Sequence, residues 1–243
     1  MIVDIHSHVL PGIDDGAKTM QETFRLLRML KKQGVEGVVA TPHFYPKYDD
    51  LDAHLEKAEG VYKKICDQLG DNLFVPRIFL GHEVRYFRGI SESETIHKLK
   101  ISGTNKILIE MSYDGISTHM LDDILSIQYN LGLTPIIAHI DRYVEFEGFD
   151  KALEILKEHE IKAQINADSV LGSNKKQAFK MLNDGLISYI GSDTHSIEAR
   201  PPQIDAFMKK AFRKVDEKVV KRLEYNSECL FNEMCEVDRI NAY

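Results

Sequence analysis

The chain has 243 residues, a length that suits one α/β barrel, and its 43% hydrophobic and 28% charged composition is that of a globular protein able to bury a core. Its 38 acidic against 31 basic residues give a net charge of −7, which opposes a surface built to neutralise nucleic-acid phosphates. There is no basic leader and no apolar stretch long enough to span a membrane, so a cytoplasmic location is expected. The cysteines Cys66, Cys229 and Cys235 form no CxxC pair and are read as thiols outside any disulfide.

In chain order, residues 1–5 read as a strand, 19–33 as an amphipathic helix, 37–41 as a strand, 50–69 as a helix and 77–80 as a strand. A short helical connection at 91–99 precedes strand 106–109, helix 118–131 and strand 134–138. Helix 150–160, strand 162–165, helix 173–183 and strand 187–190 follow, and 203–232 reads as an amphipathic helical tail. Strands alternating with helices specify a mostly parallel sheet with right-handed crossovers, either open or closed as a barrel. Neither GxGxxG nor GxxxxGK[ST] occurs, and no repeat or linker divides the chain, so a single domain over 1–243 is expected.

Residues able to bind metal recur where the predicted strands end: His6 and His8, His43, Glu83, Glu110, His139, then Asp193 and His195. Six of the seven strands end this way. In a barrel these ends share one face, so residues distant in sequence converge there. His6 with His8, and Asp193 with His195, are spaced to point to one side in extended backbone.

The turn Asp14-Asp15-Gly16 supplies another carboxylate, and Asp4 is placed to orient a ligand imidazole. One histidine at a strand end is an ordinary polar residue with a local partner. So many imidazoles and carboxylates on one face would be costly without cations. His54, His97, His119 and His159 fall in helices or loops and read as solvated or structural, while His82 reads as facing away from the site or bordering it. Arg142 and Arg200, close in sequence to His139 and His195, are candidate bidentate donors to an anion. Imidazole and carboxylate without thiolate suit manganese, iron or zinc.

The motifs Asp4-Ile5-His6-Ser7-His8, Asp14-Asp15-Gly16, Thr41-Pro42-His43, Gly81-His82-Glu83, Ile109-Glu110, Ala138-His139-Ile140-Asp141-Arg142-Tyr143 and Gly191-Ser192-Asp193-Thr194-His195 resemble the polymerase and histidinol phosphatase (PHP) family. Within it the chain is most similar, from residue 1 to about 202, to the manganese-dependent protein tyrosine phosphatases of bacterial capsule and exopolysaccharide operons. The resemblance implies a distorted (β/α)7 TIM-like barrel with its metal site at the C-terminal ends of the strands.

It also implies three divalent ions, of manganese with iron or zinc as alternatives. His6, His8, Glu83 and Asp193 would hold one, Glu83, Glu110 and His139 a second, and Asp15, His43 and His195 a third. Arg142 and Arg200 would grip the substrate phosphate. The three ions bring six positive charges against four from Asp15, Glu83, Glu110 and Asp193, so the pocket stays positive.

The implied reaction is attack on phosphorus by metal-activated hydroxide, with phosphotyrosine on a capsule or exopolysaccharide tyrosine autokinase as substrate. No cysteine is followed by Arg six positions later, as thiol phosphatases require. Residues 44–48, and Asp141 where relatives carry Glu, depart from the family pattern. The competing readings are a histidinol-phosphatase-like small-molecule phosphomonoesterase and a non-enzymatic metal-binding regulator.

Overall fold

A computed structural model describes residues 1–70, 72–93 and 95–240. Among the described residues, nine strands form two parallel arrays. The first orders β1 (Ile2–Ser7), β2 (Val35–Ala40) and β4 (Arg77–Leu80). The second orders β3 (His43–Phe44), β5 (Glu83–Arg85), β6 (Lys106–Glu110), β7 (Thr134–Ile137), β8 (Lys162–Asn166) and β9 (Ile187–Gly191).

β2 and β3 are one path interrupted at Thr41-Pro42, and β4 and β5 one path interrupted at Gly81-His82. Backbone bonds continue across both interruptions, from Gly81 N–H to Ala40 at 2.9 Å and from Glu83 N–H to Pro42 at 3.1 Å. The nine strands are therefore the seven expected ones with two kinked, and a proline without a donor N–H is a natural place for the first kink. β9 returns to β1 by a single parallel bridge, Ser7 with Thr194, and by bonds from Asp193 N–H to His6 (2.8 Å) and from His8 N–H to Thr194 (2.9 Å). The ring is a distorted barrel, joined there at its C-terminal rim without a full ladder.

Helices α1 (Met20–Lys32), α2 (Leu51–Leu69), α3 (Thr118–Asn130), α4 (Phe149–Glu158) and α5 (Lys175–Asn183) occupy the crossovers. Thr19, Asp50 and Ser117 cap the first three through side-chain oxygens that accept from Glu22, Ala53 and Met120 N–H. Leu26, Leu27 and Leu30 of α1 are buried in the layer between helices and strands with Val38 and Ile65. Burial of each such side chain stabilises by about 1.5–3 kcal/mol. The connection at 91–99 is two short 3-10 turns, Ile90–Glu92 and Ile96–Leu99, rather than a helix.

The tail is two helices, α6 (Ile204–Lys214) and α7 (Glu217–Ile240), because Asp216 breaks the path and its Oδ1 accepts from Lys218 N–H at 2.8 Å. α7 sends Leu230, Met234 and Cys235 into a separate cluster with Val3, Ile5, Val39, Phe79, Leu108, Ile136 and Tyr189. This second core fills the barrel below the polar rim. No helix among the described residues is long and apolar enough to cross a membrane.

Candidate metal centre

The parallel strands bring the predicted donors to one place. His6 lies in β1 and His8 just beyond it; His43 and Glu83 open β3 and β5, and Glu110 closes β6; His139 follows β7, and Asp193 and His195 follow β9. Glu83 is the hub. Its Oε2 lies 2.8 Å from His43 Nδ1, 3.2 Å from His6 Nε2 and 3.4 Å from His8 Nε2. Its Oε1 is 2.8 Å from His139 Nε2, and Glu110 Oε1 is 3.7 Å from the same nitrogen.

Among the described residues, three groups of donors are compact enough to hold an ion: His6, His8 and Asp193; His43, Glu83 and Glu110; and His8, Asp15, His43 and His195. They differ from the expected division: Glu83 is absent from the group of His6, His8 and Asp193, His8 and His43 each belong to two groups, and His43 takes the place of His139 beside Glu83 and Glu110. His139 is instead engaged with Glu83.

Backbone geometry is specialised at this rim. Asp193 has φ 50° and His139 φ 30°, left-handed values that are rare for residues with a Cβ. The Asp193-Thr194-His195 segment is thus not extended, contrary to the spacing argument, although His195 Nδ1 still lies 3.5 Å from Asp193 Oδ1. Gly16 is needed because a Cβ there would stand 2.2 Å from the His8 carbonyl oxygen. That approach folds the Asp14-Asp15 turn onto His8. Asp14 Oδ2 then lies 2.8 Å from His8 Nδ1, and Asp15 stays exposed beside His43 and His195.

Asp4 does not orient an imidazole. The register of β1 shifts between Asp4 and Ser7, and the Asp4 carboxylate accepts instead from Ser192 N–H (2.7 Å) and Ser192 Oγ (2.6 Å). The alternation that put Asp4 on the His6 face fails at that irregularity. Asp14 does for His8 what was expected of Asp4. His82 is buried away from the donors against His54, Nδ1 to Nε2 2.9 Å, so that pair is structural.

The electrostatics suit cations. Burial raises the pKa of Glu83 and Asp193, but the field of His6 and hydrogen bonds from His139 to Glu83 and from His8 to Asp193 outweigh it. Both carboxyls are held well below their ordinary range. Burial, and then the field of His8, pushes His195 down to about 4, leaving a neutral imidazole with a lone pair to offer. His6 Nε2 and His8 Nε2 are only 3.1 Å apart. Both ring nitrogens face Asp193 Oδ1, at 3.7 and 3.4 Å.

Two imidazole nitrogens and two carboxylate oxygens crowded in this way fit a divalent cation far better than they fit one another. His139 Nδ1 and His195 Nε2 are also buried without a hydrogen bond. The donors present therefore fit metal ions.

Arg142 and Arg200 border this cluster, and both pair with Asp193 Oδ2, Arg200 Nη2 at 2.6 Å. Arg200 is held there by its carbonyl, which accepts from Thr194 Oγ1 at 2.7 Å and His195 N–H at 3.1 Å. Two further side chains were not anticipated: Arg85 pairs with Glu110 Oε2 at 2.9 Å, and Tyr113 donates to Glu110 Oε1 at 2.8 Å with its ring over the Arg85 guanidinium. Arg85 closes β5, a stretch beyond the expected strand 77–80, and Tyr113 lies past the end of β6.

The sequence matches the family model "Capsular polysaccharide synthesis, CpsB/CapC" over residues 2–232. The chain belongs to the CpsB/CapC family. Among its relatives, the tyrosine-protein phosphatase CpsB of Streptococcus agalactiae serotype III is 29% identical over 83% of this chain and 86% of its own. The putative tyrosine-protein phosphatase CapC of Staphylococcus aureus is 32% identical over 82% of this chain and 79% of its own. In fold, the chain matches a crystal structure from a study of YwqE from Bacillus subtilis and CpsB from Streptococcus pneumoniae, described as metal-dependent tyrosine phosphatases. The TM-score is 0.81 and the identity 23%, covering 96% of this chain and 95% of that one. This is the fold that the PHP resemblance implied.

Proposed function

We propose that this CpsB/CapC member is a metal-dependent protein tyrosine phosphatase, a phosphoric monoester hydrolase acting on a tyrosine kinase of capsule or exopolysaccharide synthesis. One observation carries the reading: Asp193 turns Oδ1 to His6 and His8 and Oδ2 to Arg142 and Arg200, so an anion clamp adjoins the donor cluster. The names of the relatives supply the phosphotyrosine substrate, and the family description the capsule context. The proposal includes three divalent ions, manganese by preference, in a single cytoplasmic domain.

His6, His8, Asp15, His43, Glu83, Glu110, His139, Asp193 and His195 would hold the ions. When bound, these supply Lewis acidity that activates water near neutral pH and offsets phosphoryl charge. Arg142 and Arg200 take nonbridging phosphate oxygens as planar forks and set the phosphorus against the donor cluster. Their guanidinium groups also stabilise the charge of the transferring group, the role such donors play in preorganised sites.

The test is a panel of phosphotyrosine peptides, histidinol phosphate and nucleotides, assayed on protein purified with manganese while metal content is measured. The expected result is the highest kcat/KM on phosphotyrosine peptides. A preference for histidinol phosphate would reassign the chain to small-molecule phosphomonoesterases, and no hydrolysis by fully metallated protein would refute an enzymatic role.

A further inference from the structure

Among the described residues, β8 supplies no imidazole or carboxylate to the cluster around Glu83 and Asp193, whereas β7, which also contributes to none of the donor groups, still brings His139 to Glu83. The side chains it turns toward the cluster are two buried amides, Gln164 and Asn166, while Ala163 and Ile165 face the outer core. Resting on the metal-centre reading above, we propose that Gln164 and Asn166 are positioning residues that present His6 and Asp193 to a divalent cation.

The polarity of the whole network follows from one backbone group. The His139 N–H lies 2.6 Å from Gln164 Oε1, and a backbone nitrogen can only donate. That atom is therefore the carbonyl oxygen of the amide. His6 Nδ1 lies 3.2 Å from the same oxygen, so this ring nitrogen carries a proton, and Nε2, directed at His8, Glu83 and Asp193, is the nitrogen left for a cation. The ring face that a ligating Nε2 needs is thus set by the amide.

The other end of the Gln164 amide donates to Asn166 Oδ1 at 2.9 Å, which makes the remaining Asn166 group the NH2. It donates to Asp193 Oδ2 at 2.9 Å. With Arg142 and Arg200 on that same oxygen, Oδ1 is left to the donor cluster. Gln164 also ties down the amide of His139, one of the two rim residues with left-handed backbone. Its seat is tight: a Cβ on Gly191 would stand 2.6 Å from Gln164 Nε2 and 2.6 Å from His6 Cβ. Glycine is required there so that the amide can reach His6.

The experiment compares wild type, Gln164→Leu and Gln164→Glu by nitrogen NMR of the histidine tautomers without metal, and by Mn2+ titration against a competing chelator. In wild type His6 is expected to carry a proton on Nδ1. Gln164→Leu should lose that preference and weaken Mn2+ binding at the affected site by about 10- to 100-fold. Gln164→Glu, which keeps both acceptor contacts, should restore the tautomer and most of the affinity. A merely space-filling residue would show the reverse, with leucine tolerated as well as glutamate.

A His6 bare at Nδ1 and protonated only on Nε2 in wild type, or wild-type Mn2+ affinity in a folded Gln164→Leu protein, overturns the proposal. Should the leucine variant not fold, the wild-type tautomer and the glutamate variant decide. The two readings fail differently. Wild type that binds no Mn2+ removes the metal centre, whereas Mn2+ binding indifferent to residue 164 removes only the role of the amide.

Discussion

Replacing the two arginines one at a time separates phosphate binding from metal binding, because Asp193 is shared between both functions. In Arg142→Ala the carboxylate keeps Arg200 Nη2 at 2.6 Å and Asn166 Nδ2 at 2.9 Å on Oδ2; in Arg200→Ala it keeps Arg142 and the same amide. Neither change leaves the buried acid without a partner, so metal content is expected to stay near wild type. What each variant loses is a charge-assisted fork to the phosphoryl group.

Such hydrogen bonds contribute about 1.5–3 kcal/mol. The Arg142 and Arg200 side chains are 34% and 39% exposed, and solvent screening favours the lower part of that range. At about 1.5–2 kcal/mol, kcat/KM should fall about 10- to 30-fold per arginine. Inorganic phosphate should weaken as a competitive inhibitor by a similar factor. Lysine at either position keeps the charge but not the fork and should recover only part of the loss.

The double variant behaves differently, since Asp193 Oδ2 then retains only Asn166, and its effect on stability without added metal should exceed the sum of the singles. The assay is steady-state hydrolysis with phosphate inhibition, elemental metal analysis and thermal unfolding on the same samples. Metal lost in a single variant in proportion to activity would refute the division of labour between Asp193 oxygens.

Three further outcomes follow from the same geometry. Manganese at 100 times its dissociation constant should stabilise the protein by about 2.7 kcal/mol per site, a rise of about 5–10 °C in Tm for a chain of this size, and chelation should reverse it together with activity. A melting curve indifferent to both would argue against a metal centre. Gly191→Ala should destabilise by about 1–3 kcal/mol through overpacking against Gln164 and His6 and should lower Mn2+ affinity, measured by unfolding and titration. Unchanged Mn2+ binding would show that His6 tolerates displacement. Serine in place of Cys66, Cys229 and Cys235 should leave kcat/KM within about twofold, since none of the three belongs to the donor groups; loss of turnover in a folded variant would revive a thiol mechanism.

The convergence of the donors was legible because it depends only on topology. Any parallel barrel places strand ends on one face, so His6, Glu83, Glu110 and His139 could be grouped before any geometry was known. The detailed partnerships depend on departures from regular backbone, and these leave weaker traces. A register shift inside β1 moved Asp4 away from the imidazoles and left Asp14 to orient His8. A left-handed Asp193 gave a bent segment where period-two spacing implied an extended one. The break between α6 and α7 did leave a signal, since Asp216 is a cap residue set between two amphipathic stretches.

The sixth strand shows most clearly what a search for chemistry-bearing residue types passes over. Read for metal ligands, residues 162–166 offer nothing, and the strand looked like the exception among seven. Read for burial, the same segment alternates Ala163 and Ile165 with Gln164 and Asn166, so two uncharged polar side chains sit at period two on the side where the neighbouring strands carry their donors. A barrel interior accepts an amide only if every polar atom finds a partner, and the partners near that rim are the ligands themselves. Buried amides at a strand end beside predicted ligands thus predict the residues that aim them. That criterion would have selected Gln164 and Asn166 from sequence, with Gly191 as the neighbour obliged to make room.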